Sequence, residues 1–320
     1  MSLKQTLTAT EPDEIKLDRS VKRILADKSI LARILKETVE ECCEMSYDEI
    51  CQCIEGDVDI EQVPINPGLT NTIRGNATED TVSGEGCVYY DIRTYLQIPG
   101  TKPCGIKILL NVEAQKNDSP GYDVPERAIY YGCRMISSQL DTEFTNHSDD
   151  PVKYGNIKKV YSIWLCTESA EIRANRIVRY RLNRELVFAP DGADAEDGKR
   201  YDLMQIAMIY ISRHHTGHDS ENTLIRMLTD LFNEEVAAQE KIRLLEDEHQ
   251  LPMSDATKKE VVDMCTYTAM IEEKGREEGR EEERLSAIQT MLEFGLPKEQ
   301  ILKKYSEAEY IKATQKRMNV

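Results

Sequence analysis

The sequence predicts an α/β fold followed by a helical C-terminal region. Three observations predict it. A proline-free run with helical periodicity occupies residues 19–45, five β-rich segments follow with one helical segment among them, and nearly everything from Asn222 onward keeps a helical period.

Residues 1–18 are polar and carry no apolar period, so they read as a frayed arm. From Arg19 to about Met45, Val21, Leu25, Ile30, Ile34 and Val39 form one apolar stripe. A second, short helix is expected over Ser46–Ile54, with Ser46 as N-cap and Glu49 at the capping-box position. Gly56–Gly86 is rich in turn residues (Pro64, Pro67, Gly68, Gly75, Gly84). Strands are expected at 87–98, 106–115, 157–166, 175–188 and 201–212, with a helix at about 125–140. Glu272–Arg284, EEKGREEGREEER, reads as a charged helical connector. After it, Leu285–Tyr305 reads as a helix, a turn at Gly295 and a helix opened by Pro297. A DNA-reading helix-turn-helix, a plain αα-hairpin and an oligomerisation element all fit that pattern. The domains expected are an arm (1–18), an α/β core (19–215) and a helical region (216–320).

Composition narrows the function classes. The 320 residues contain 41 Lys plus Arg against 58 Asp plus Glu, for a formal net charge of -17, which argues against a nonspecific nucleic-acid coat protein. The acidity is uneven: residues 151–187 hold eight basic and three acidic residues, whereas residues 234–283 hold sixteen acidic and seven basic. No apolar run approaches the ~18 residues of a membrane helix, so no membrane partner is expected. The start, MSLKQTLTATEPDE, lacks an apolar stretch after a basic one, and the nine cysteines form no C-x-x-C. Both point to reduced thiols in a cytoplasm. His214-His215-Thr216-Gly217-His218 lacks a fourth ligand at zinc spacing. No G-x-x-x-x-G-K-[ST] loop is present either, which excludes an ATP-driven motor of that type.

The most informative segment is residues 87–117, CVYYDIRTYLQIPGTKPCGIKILLNVEAQKN, two β-rich runs around a Pro- and Gly-containing loop at Pro99–Gly105. Placing Ile98 opposite Ile106 pairs Ile92 with Val112, Thr94 with Leu110 and Leu96 with Ile108, so that the even positions form an apolar face for the core. On the odd face Asp91 then falls opposite Glu113, Arg93 opposite Asn111 and Gln97 opposite Lys107. Opposed carboxylates repel unless a cation joins them. Two carboxylates, the Ala114 carbonyl and waters make a hard-oxygen set suited to Mg²⁺ or Mn²⁺. Gln115 shares the face of Glu113 and can align a water, although an amide cannot take up its proton.

The order Asp91, hairpin, Glu113-Ala114-Gln115 resembles the PD-(D/E)XK nuclease superfamily, and within it the transposase-associated, recombination-promoting nuclease branch. The segments Pro125-Glu126-Arg127-Ala128-Ile129-Tyr130-Tyr131 and Ile157-Lys158-Lys159-Val160-Tyr161-Ser162-Ile163-Trp164 extend the likeness, which covers about residues 19–285. The resemblance implies a restriction-endonuclease-like core and magnesium-dependent cleavage of DNA phosphodiesters in the service of a mobile element or recombination. The sequence departs from the superfamily pattern at Gln115, which stands at the lysine position; members of this branch similarly tend to carry Gln there.

The residues expected to act are Asp91, Glu113 and Gln115, with Asp91, Glu113 and Ala114 holding the metal. The resemblance implies a further carboxylate from the first helix, for which Glu40 is the candidate, with Glu37 and Glu44 as alternatives by spacing. Arg127, Tyr131 and Arg134 lie at i, i+4 and i+7 and are expected to contact phosphates of a DNA partner. A homo-oligomer through the C-terminal helices is a further expectation. The rival reading is a catalytically inactive nuclease-fold protein that binds a partner through its acidic helical tail.

Overall fold

The computed structural model describes residues 11–55, 59–60, 79–82, 86–89, 91–99, 106–139, 154–188, 201–212 and 220–318. Outside them lie residues 1–10, most of the Gly56–Gly86 segment, Gly100–Gly105, Leu140, the His214–His218 tract and the side chain of Lys107. The chain forms two compact units, Asp18–Cys265 and Met1–Leu17 with Thr266–Val320.

The first helical run is two helices and not one, α1 (Asp13–Leu25) and α2 (Lys28–Thr38). Asp27 separates them: its extended backbone breaks the helical path, and its side chain accepts from the Ser29 amide as the N-cap of α2. The expected arm is helical from Asp13, where Asp13 and Glu14 in the first turn and Lys22 and Arg23 in the last complement the helix dipole. A 3-10 turn at Glu40–Cys42 follows α2, and then α3 (Tyr47–Cys53) with the expected Ser46/Glu49 capping box.

The central sheet contains β4 (Ile92–Ile98), β5 (Ile106–Asn117), β6 (Lys159–Glu168), β7 (Arg176–Arg181) and β8 (Met204–Tyr210), in the spatial order β4-β5-β6-β8-β7. The two-residue β1 (Asp59–Ile60) extends it beyond β4, and β2 (Glu79–Val82) pairs with β3 (Gly86–Tyr89) in a separate ribbon. β5, β6 and β8 run parallel, while β4 and β7 are antiparallel to their neighbours. Every β4–β5 partner follows the register expected from the sequence, from Ile92–Val112 to Ile98–Ile106. The first eight residues of β6 are buried, as a central parallel strand covered on both faces should be.

α4 (Val124–Ser137) covers one face. It opens with Asp123 as N-cap and Pro125 in its first turn, and its Val124, Ala128, Tyr131 and Met135 pack on Tyr95, Val160, Trp164, Ile206 and Met208. Gly132 permits this approach, since a Cβ there would stand 2.8 Å from the Met204 sulfur. Toward the end of the unit come α5 (Thr223–Phe232) and α6 (Ala238–Asp247).

α7 (Asp255–Glu293) is continuous through the Glu-Gly-Arg segment, whose residues 272–284 are exposed. In the second unit the chain turns at Gly295, in the left-handed region at φ +74°, and continues as α8 (Lys298–Ile301) and α9 (Glu307–Met318). Leu285, Ile288, Ile301 and Ala313 form its buried core, so this part is a packed helical hairpin. Among the described residues no helix is long and apolar enough to cross a membrane.

Candidate active site

The register that pairs Ile92 with Val112 carries Asp91 to the mouth of the hairpin beside Glu113. The two acids brace each other's strands through the main chain. The Asp91 amide donates to Glu113 Oε1 at 3.1 Å, and the Ala114 amide donates to Asp91 Oδ2 at 2.9 Å. A strand residue's N–H and C=O point to the same side. The Ala114 carbonyl therefore lies on the strand edge that faces Asp91. Both acids are withdrawn from solvent, with Glu113 buried and the Asp91 side chain 14% exposed.

A cation from the first helix reaches this pair. Lys22 of α1 places its ammonium 3.0 Å from Asp91 Oδ1 and 2.8 Å from Asp18 Oδ2, with its own side chain only 7% exposed. Burial pulls the Lys22 ammonium toward losing its proton, but Asp91 and Asp18 more than reverse that, so the group is held well above the usual lysine range. Burial pushes the Asp91 carboxyl up, opposed by Lys22 and by the Ala114 amide. No motif or spacing singles out Lys22. Its position on a buried stripe reads as a helix-face lysine, and its partner lies 69 positions further along the chain.

On the α4 face, Gln115 joins a polar relay. The Tyr122 hydroxyl donates to Gln115 Oε1 at 3.5 Å, and Arg127 donates to the Tyr122 oxygen and, at 2.7 Å, to the Tyr131 oxygen. The guanidinium also lies over the rings of Tyr122, Tyr131 and Trp164, at 5.5, 5.0 and 5.4 Å from their centroids. Trp164 is the β6 residue in register with Glu113, so the aromatic enclosure borders the acidic pair. Burial raises the Tyr131 hydroxyl's pKa; the Arg127 hydrogen bond opposes the rise and the charge of Glu113 adds to it.

The structure thus brings together Asp91, Glu113, Ala114, Gln115, Arg127 and Tyr131, and leaves two expected residues elsewhere. Arg134 is only 2% exposed, on the side of α4 that packs against the sheet, so it does not continue a phosphate-facing stripe. Helical phase does not separate it from Arg127, since seven steps of 100° return to within about 20° of the start; the two arginines differ in burial, Arg127 being half-buried and Arg134 buried beside the core residue Met135. Glu40 lies at the other end of the sheet. It accepts from Gln205 Nε2 at 3.1 Å and from Arg181 at 2.9 Å, and Lys159 is 3.9 Å away. Lys159 is in register beside Ile108, five residues from Glu113 along β5, or about 16 Å. Glu37 belongs to that same end, where its carbonyl accepts from Arg179. Lys116, next to Gln115, turns to Glu168 at 3.2 Å.

Around Glu40 the polar groups are reciprocally matched. Lys159 meets Glu41 at 2.9 Å and Asp202 at 2.7 Å, the Tyr161 hydroxyl donates to Glu41 at 2.6 Å, and Arg179 reaches Glu40 at 3.4 Å. This network ties the 3-10 turn after α2 to the starts of β6 and β8.

Comparison with protein-family models, with curated proteins and with solved structures returns no match for this chain.

Proposed function

We propose that the protein is a metal-dependent DNA endonuclease with a restriction-endonuclease-like core of the PD-(D/E)XK kind, serving a mobile element or recombination. The observation that supports this reading is the meeting of Asp91 and Glu113 at the mouth of one hairpin, each fixed by a main-chain amide of the opposing strand. The pair sits toward the carboxyl ends of the parallel strands β5 and β6, where open α/β sheets usually bind ligands.

The donor set fits Mg²⁺ or Mn²⁺: two carboxylates and the Ala114 carbonyl are hard oxygen ligands, and the Lys22 ammonium already shows a cation at Asp91. When bound, the ion would supply Lewis-acid polarisation of a phosphodiester and acidify water. The chain's own groups divide the rest of the work. Asp91 and Glu113 provide the negative charge that retains the ion. Gln115 orients a water through its amide. Arg127, held at the rim by Tyr122 and Tyr131, offers N–H groups to a phosphate. DNA binding is weak and steeply salt-dependent, because the net charge of -17 opposes approach while Arg127 attracts locally.

A second reading draws on α7, whose acidic residues 272–284 are exposed: an inactive nuclease-fold protein that binds a partner through this helix. Cleavage of supercoiled and linear DNA at matched Mg²⁺ or Mn²⁺ separates the two. Cutting by the wild type and none by Glu113→Ala is the expected result. Silence from both, with Mn²⁺ failing to raise the Tm of the wild type, would give the field to the interaction protein.

A further inference from the structure

We propose that Lys22 is a resident counter-cation which is handed from Asp91 to Asp18 when a divalent ion enters the acidic pair. The inference rests on the metal-site reading above, and it adds a regulation of that site: the ion competes with a built-in ammonium.

Three features of the geometry carry it. First, the ammonium is shared at closely similar distances, 3.0 Å to Asp91 and 2.8 Å to Asp18, so it already has a second acceptor. Second, the two acceptors differ in kind. Asp18 lies four residues before Lys22 on α1, so the helix itself maintains that pair whatever happens at the hairpin. Asp91 is brought from β4's entrance, and its other oxygen is fixed by the Ala114 amide. Oδ1 is therefore the oxygen that the ammonium holds. Third, the Asp18 side chain is 43% exposed while that of Asp91 is 14% exposed. The ammonium can move toward the more hydrated partner without leaving its helix.

Two positive charges that share one carboxylate repel, and the repulsion grows as solvent is excluded. A divalent ion at Asp91 and Glu113 therefore stands against Lys22 at its present position. Retreat to Asp18 relieves the conflict and keeps the ammonium paired. Removing Lys22 should then tighten metal binding, and removing Asp18 should weaken it, because the ammonium would lose its place of retreat. The effects of the two substitutions have opposite signs.

The test is calorimetric titration of the full chain with Mn²⁺ alone, using wild type, Lys22→Met, Asp18→Asn, the double variant and Asp91→Ala. Lys22→Met should bind Mn²⁺ at least about fivefold more tightly than wild type, the lower bound for ordinary coupling between sites. Asp18→Asn should bind more weakly, and in the Lys22→Met background the same change should do nothing, since it acts through the ammonium. Unchanged or weaker binding by Lys22→Met would overturn the handover and make Lys22 part of the loaded site. If Lys22→Met does not fold, the half-exposed Asp18→Asn decides: affinity equal to or above wild type overturns the proposal. An Asp18→Asn loss that persists without Lys22 would reduce its effect to through-space attraction and also overturn it. Wild-type affinity in Asp91→Ala would remove the metal site itself, and the handover with it, whereas Asp91-dependent binding that ignores Lys22 removes only the handover.

Discussion

At the β5 end of the sheet one ammonium, that of Lys22, is divided between the carboxylates of Asp18 and Asp91, with Glu113 braced beside them. At the start of β6 the charges are balanced: Glu40 receives Arg179, Arg181 and Gln205, while Lys159 is gripped by Glu41 and Asp202. Both clusters are partly withdrawn from water, and both tie the N-terminal helices to the sheet. They differ in what brings the acids together. Asp91 and Glu113 meet because the apolar face of a hairpin fixes its register, and the backbone imposes that proximity whatever the charges prefer. Glu40 and Glu41 come to rest where complementary charges receive them. A charge conflict enforced by backbone is what the proposed metal site would exploit; a matched network is what a structural joint needs.

The largest contrast is expected on removing the two lysines. Lys159→Met leaves Glu41 and Asp202 facing each other and should cost folding stability toward the lower end of the ~3–5 kcal/mol for a broken buried pair, since Asp202 is half-exposed. Lys22→Met should cost only about 1–3 kcal/mol, because Asp91, already pushed toward its protonated form by burial, can shed its charge by taking up a proton. Urea denaturation at neutral pH reads both values. Equal losses would erase the distinction between the two ends.

The response to pH should differ in sign. Glu40 is held below the ordinary carboxylate range, first by the Gln205 hydrogen bond, against burial, and then by Lys159, Arg179 and Arg181. Its stabilising contribution is complete above its unfolded value of ~4.3 and is lost as pH falls through the depressed folded value. Asp91 is raised, so the folded chain holds its proton more tightly than the unfolded chain, and ionising it costs stability between its ordinary value of ~3.9 and the raised one. Asp91→Asn should therefore raise stability at neutral pH and Glu40→Gln should lower it, with both differences shrinking on acidification. Denaturation curves across a pH series check this, and a loss of stability in Asp91→Asn at neutral pH would show that Lys22 outweighs burial there.

The difference between the ends also accounts for what the sequence could disclose. The β4–β5 register was legible because one slipped residue would turn Ile92, Thr94 and Leu96 away from the core, so local alternation determines it. Asp91 and Glu113 came with it at no further cost. The capping box at Ser46 and the turn at Gly295 were legible for the same reason, as short-range chemistry. Lys22 and the placement of Glu40 were not, because their partners are set by how helices pack on the sheet. The break at Asp27 was a near miss: an Asp two residues before a helical amide is an N-cap signal, but an unbroken apolar stripe over 21–39 masked it. Arg134 shows the converse, a charged residue that shares the helical phase of Arg127 and is nonetheless buried, which helical spacing alone does not disclose.

The smallest expected effect sharpens the comparison most finely, because it separates positioning from stability at the acidic end. Arg127 can only donate, so the Tyr122 oxygen must accept from it, and the single Tyr122 proton is left for Gln115 Oε1 at 3.5 Å. That contact holds the amide oxygen of Gln115 toward Tyr122 and turns its NH₂ group away from it. Tyr122→Phe keeps the ring beneath Arg127 and removes one exposed hydroxyl, so folding stability should change by no more than ~0.5 kcal/mol. The Gln115 side-chain NH₂ should nonetheless become more mobile, seen as a lower ¹⁵N order parameter, while the backbone amides of Asp91 and Glu113 stay as they are. A loss above about 2 kcal/mol, on the scale of a buried structural network, would place the Gln115–Tyr122–Arg127 relay with the matched charges around Glu40. A rigid Gln115 in the variant would show instead that strand packing alone orients the amide, and that Tyr122 has no part in presenting it.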